Sequence, residues 1–140
     1  MEKSKYQEAC DLLVQTKNDY DNALISFSKI FRTRLSAFLG CDPGVIELKF
    51  GHPTRVRGSN HITCYFSIVV TVDALGQKWA LPLEGLNFST PEKDRFLVAL
   101  HNKQFSMEHE ELQILFNGIF DRLRERCFHL QEGYVPPAGI

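Results

Sequence analysis

The side chains best suited to chemistry in this chain lie between His52 and His61. Arg55 and Arg57 stand one residue apart, with Gly51 and Gly58 beside them and His52, Ser59, Asn60 and His61 close by. In an extended segment, residues two apart share a side. Two guanidinium forks on that side, among hydroxyl and amide donors and permissive glycine backbone, can clamp a phosphate or a carboxylate. The competing reading is a solvated loop whose charges keep a strand edge from pairing. Lys29, Arg32 and Arg34 join the same patch if the end of their helix lies beside the loop.

Other chemistries lack the spacing they need. His61 and Cys64 are three apart on a strand and point to opposite faces. His101 and His109 straddle a turn, while Cys127 and His129 diverge on a helix. No Cys₂His₂ or HExxH pattern occurs, so neither a metal nor a cofactor is expected. A catalytic thiol or hydroxyl needs a neighbouring base and an oxyanion hole. Cys10, Cys64 and Cys127 fall on or beside apolar stripes and read as small hydrophobes. Cys41, before Asp42-Pro43-Gly44, is the one thiol expected at the surface, and no base accompanies it. GxSxG, GxxxxGK[ST] and GxGxxG are all missing from the sequence. Glu108 and Glu111 sit where a helix N-terminus accounts for them. The chain therefore reads as non-enzymatic.

The elements that position these residues centre on His61–Phe88. Ile62, Cys64, Phe66, Ile68, Val70 and Val72 fall on one face of a period-two run, and Thr63, Tyr65, Ser67, Val69, Thr71 and Asp73 on the other. That period belongs to a strand. A second run carries Trp79, Leu81 and Leu83, joined to the first through Ala74-Leu75-Gly76-Gln77, where Gly76 supplies a positive φ. Pro82 cannot donate to a ladder and predicts an edge position or a bulge. Val45–Phe50 alternates as an earlier strand. Thr90 and Pro91 are able to open a helix, but the alternation of Phe96, Val98 and Leu100 favours a strand up to about His101. The expected sheet spans residues 45–101 as a four-stranded meander.

Residues 1–40 read as helical. Tyr6, Cys10, Leu13, Lys17, Tyr20, Leu24, Phe27 and Phe31 recur at spacings of four and three, a heptad-like stripe. The weak helix formers Asn18–Asn22 leave two readings open, one helix of roughly 55 Å or a break near that cluster, and the continuous helix is favoured. Gly40 ends it. Ser106 is the expected cap of a last helix over 106–132, with Leu112, Leu115, Phe116, Ile119, Phe120, Leu123 and Cys127 on its apolar face. Residues 134–140 form a loose tail. The pattern is α-β-β-β-β-α, a single α+β domain over 1–140 with both helices on one sheet face.

A stripe this long exceeds what four strands can cover. Tyr6, Cys10, Leu13, Tyr20, Leu24 and Phe27 are thus the candidate dimer or partner surface. An intramolecular helical hairpin is the competing account. Composition agrees with a globular module: 140 residues, 44% apolar, 24% charged, net charge −1. A balanced charge lowers the weight of a nucleic-acid coat or a polybasic membrane anchor. No apolar leader or spanning run is evident. Four single cysteines without CxxC point to reduced thiols in the cytoplasm. The expected function is protein binding as a homodimer, by an adaptor, chaperone or inhibitor, a profile shared by virus- and plasmid-encoded inhibitors. The second reading is a nucleic-acid or phosphorylated-ligand module using Arg55 and Arg57.

Overall fold

A computed structural model of the chain describes residues 2–55, 61–92, 95–129 and 135–139. The first helix, α1 (Lys5–Leu39), runs unbroken for 35 residues, about 52 Å at 1.5 Å per residue. Ser4 opens it by accepting from the Gln7 N–H at 3.1 Å. Gly40, at φ 71°, closes it, and the N–H groups of Gly40 and Cys41 both donate to Ser36 O. Only glycine enters that left-handed region cheaply. The weak formers at Asn18–Asn22 do not break the helix. Lys17 pairs with Asp21 one turn on, and Asp19 is held by Arg55. A continuous helix also rules out the helical hairpin.

Among the described residues the sheet is antiparallel and has six strands: β1 (Ile46–Phe50), β2 (Thr54–Arg55), β3 (Ile62–Ala74), β4 (Gln77–Glu92), β5 (Arg95–Leu100) and β6 (Lys103–Ser106). Their order is β1-β3-β4-β5-β6, with β2 continuing the β1 lane beside β3. The fold is α+β as expected, but the expected four strands become six. β2 and β6 are too short to show a period of their own. The β3–β4 hairpin turns on two residues only, Leu75 at φ 57° and Gly76 at φ 75°. Pro82 lies opposite Val69, in the part of β4 that β5 does not reach. Its missing N–H is therefore at a local edge, as a proline in a sheet requires, and the β3–β4 register shifts nearby, between Phe66 and Ile68.

One sheet face is covered. Ile46, Cys64, Phe66, Ile68, Val70, Leu83, Leu86, Phe88, Val98 and Phe105 meet Phe27, Phe31 and Leu35 of α1, and Leu112, Leu115, Phe116 and Ile119 of α2 (His109–Cys127), in one core. The other face carries Glu47, Lys49, Tyr65 and Glu84 in solvent, the usual division of an antiparallel sheet. The aromatic rings hold α1 in place: Phe27 stacks on Phe88 at 4.1 Å and 7°, and Phe31 meets Phe116 edge-on at 5.7 Å.

The last helix differs from expectation at its ends. It begins at His109 after an uncapped Glu108, because Ser106 is the end of β6. Ser106 still braces the start: its hydroxyl accepts from the Glu108 N–H and donates to the Glu111 carboxylate. Described helix stops at Cys127, and the expected continuation to residue 132 runs into 130–134, outside the described residues. Cys127 and Phe120 are exposed rather than part of the core face.

Candidate functional site

The arginine loop is only partly described. Arg57, Ser59 and Asn60 lie outside the described residues. His52 and His61 are at the surface. Arg55, on β2, is committed: its Nη2 donates to Asp19 Oδ2 at 3.2 Å, both side chains about one third exposed. A guanidinium with a carboxylate already on it is a poorer clamp for a second anion. The basic residues later on α1 do not join the loop. Arg32 turns to the 3-10 turn Pro43–Val45, donating to Pro43 O at 3.0 Å. Arg34 turns the other way and donates to Met107 O at 2.7 Å. Both leave α1 some 20 Å beyond Asp19, at 1.5 Å per residue.

The helical stripe divides in two. Phe27 is fully buried in the core, so it is no interface residue, and Tyr20 and Leu24 are half-buried against the body. Their partners are intramolecular because the β1–β2 lane extends beneath the middle of α1, as the Asp19–Arg55 pair shows. Before Asp19 the helix projects as an arm. Tyr6 is 79% exposed and Leu13 71%, with Leu12 and Val14 also in solvent. Cys10 is half-buried. The arm ties down its own polar groups: Lys3 and Gln7 both donate to Asp11, which holds that carboxyl below the usual range, the Lys3 bond contributing most.

Two of the four thiols are arranged otherwise than expected. Cys127 is exposed, whereas Cys41 is half-buried and its pKa is pushed up by desolvation and then by Asp42. A raised pKa leaves less thiolate for chemistry. Cys64 is buried, and burial raises its pKa too, against a smaller opposing effect of the Gly51 backbone. Among the described residues no three of His, Cys, Asp and Glu gather closely enough to hold a metal ion. No helix among them is long and apolar enough to cross a membrane.

Arm and loop thus differ in what they offer. The arm offers a row of exposed apolar side chains, while the loop's described arginine, Arg55, is already neutralised. Sequence spacing revealed the arm's residues but not where the body begins. The clue available was ring size: Phe27, Phe31 and Phe38 follow one another on the stripe, whereas Tyr6, Cys10 and Leu13 are smaller or polar-tipped. Comparison with protein-family models, curated proteins and solved structures finds no match.

Proposed function

We propose that the chain is a non-enzymatic protein-binding module, an adaptor, chaperone or inhibitor, that works as a homodimer joined through the arm of α1. The observation that carries this reading is the arm's exposed row, Tyr6, Leu12, Leu13 and Val14, which no described residue covers. Isolated helices of that length are marginal in water and gain stability mainly by packing an apolar face.

Light scattering tests it. The parent chain should have the mass of a dimer, and Leu13→Asp should have the mass of a monomer with an unchanged far-ultraviolet spectrum. A monomeric parent at every concentration would sink the homodimer. The reading places the protein in the cytoplasm, supported by four cysteines that are all free.

The nucleic-acid or phosphorylated-ligand reading ranks second, because Arg55 already holds Asp19. It requires binding that weakens steeply with salt and that Arg55→Ala with Arg57→Ala abolishes.

A further inference from the structure

The sheet stops one strand short beneath α1. β1 pairs with β3 on one side, and among the described residues no strand lies on the other. The Gly51 N–H donates to Tyr65 O at 2.8 Å, which sets the phase of the ladder. By the alternation of antiparallel pairing, Glu47 and Lys49 turn their backbone groups to β3. Leu48 and Phe50 then turn their N–H and C=O to the open side, together with the Ile46 C=O. The Ile46 N–H is taken by Pro43 O.

α1 lies antiparallel along this lane, from Asp19 above β2 to Arg32 at Pro43. Its flank overhangs the open edge, leaving a groove of about 530 Å³ lined by Leu24, Ile25, Lys29, Arg32, Pro43 and Phe50. Ser28 and Thr33 of α1 also line it, so the walls mix apolar and hydroxyl groups, and the two cations are not neutralised. Neither Lys29 nor Arg32 has a carboxylate partner among the described residues. The Nε of Arg32 is buried with no hydrogen-bond partner. That nitrogen is closed to solvent, so an incoming carboxylate meets Arg32 through the charge of its guanidinium rather than through Nε.

We propose that the β1 edge takes up an extended segment of another protein as an additional strand, with apolar residues facing Leu24, Ile25 and Phe50 and an acidic residue beside Lys29 and Arg32. Backbone pairing to Leu48 and Phe50 supplies affinity, and the groove reads alternate side chains. A second copy of this chain is the poorer occupant. Pairing β1 with β1 would bring the Lys29–Arg32 flanks of two helices together, like charge against like. The groove is separate from the arm, so this proposal stands whether or not the arm dimerises.

The probe is a fluorescent acetyl-Thr-Leu-Thr-Val-Thr-Glu-Thr-amide, which antiparallel to β1 sets Leu, Val and Glu inward with Glu towards Pro43. Anisotropy should show saturable binding to the full chain, with the Leu48 and Phe50 amides exchanging more slowly. The same peptide with Lys for Glu should bind about tenfold more weakly, two partly exposed charge pairs being lost. Lys29→Gln with Arg32→Gln should erase that preference while circular dichroism stays unchanged. A peptide N-methylated at the residues facing β1 should not bind. The proposal is overturned if the Glu peptide does not saturate, if Glu and Lys peptides bind alike, or if the methylated peptide binds as well as its parent. Protection of Leu48 and Phe50 that rises with protein concentration, without peptide, would assign the edge to a second copy and overturn it equally.

Discussion

Arg55 of the two-residue strand β2 donates to Asp19 of α1 at 3.2 Å, across 36 residues of sequence. The pair stands where the helix leaves the body, tying its first covered turn to β2 and occupying the arginine of the candidate anion site. Each side chain is about one third exposed, which limits what the bond contributes. A double-mutant cycle on Arg55→Ala and Asp19→Ala should give a coupling of about 0.5 kcal/mol that shrinks as salt is raised. Denaturant melts at low and high salt check this. A coupling near zero at low salt would mean the contact does not tie that turn to β2.

Phe27 lies on the same stripe as Tyr6 and Leu13 but belongs to a different structure. It stacks on Phe88 at 4.1 Å and touches Phe31, Phe50, Phe66 and Phe96 as well. Phe27→Ala should cost about 3–5 kcal/mol through lost transfer energy and the cavity left behind. Leu13→Ala, being exposed, should leave the body's unfolding midpoint nearly unchanged. Chemical denaturation of the two variants, held as monomers by Tyr6→Asp, makes the comparison. Equal losses would overturn the division of α1 into arm and anchor.

Leu75 sits at φ 57° in the two-residue turn of the long hairpin and is 91% exposed. A branched side chain in the left-handed region is strained, and nothing packs against it in return. With Gly76 also at positive φ, the turn has the form that favours Asn-Gly. Leu75→Asn should therefore stabilise the protein by about 0.5–1 kcal/mol, read as a higher denaturation midpoint. Leu75→Val should lower it. No gain from asparagine would show that the strain is absent.

Much of this architecture was legible because period is a local property. The β3 alternation, the heptad-like stripe and the Gly40 stop each announce themselves within a few residues, and each lies where the sequence places it. What escaped was short or distant. Lys103–Ser106 offers one inward residue, Phe105, and Ser106 resembles a helix cap although it ends a strand, so the capping signal hides β6. Thr54–Arg55 is too brief for any period. The groove could not be read at all, since Lys29, Arg32, Pro43 and Phe50 meet only after α1 has folded back along β1. Phe27 was placed on the wrong surface because a stripe runs on without marking where the sheet beneath it begins.

Ser106 and Glu111 provide a prediction about acid. The Ser106 hydroxyl donates to the Glu111 carboxylate and its N–H donates to the same oxygen at 3.0 Å, so the carboxyl is held below its usual range, helped further by Arg95. These bonds favour the charged form in the folded state. On acidification the unfolded chain therefore takes up the proton first, and the contribution is present above about pH 4.3, the ordinary glutamate value, and fades as pH falls through the lower folded value. Glu111→Gln should lower the melting temperature at pH 7 and converge with the parent near pH 3. Asp11 is also held low, but on the arm and in both proteins, so the difference between the two isolates Glu111. Curves that stay parallel from pH 7 to pH 3 would show that the Ser106–Glu111 bonds do not brace the start of α2.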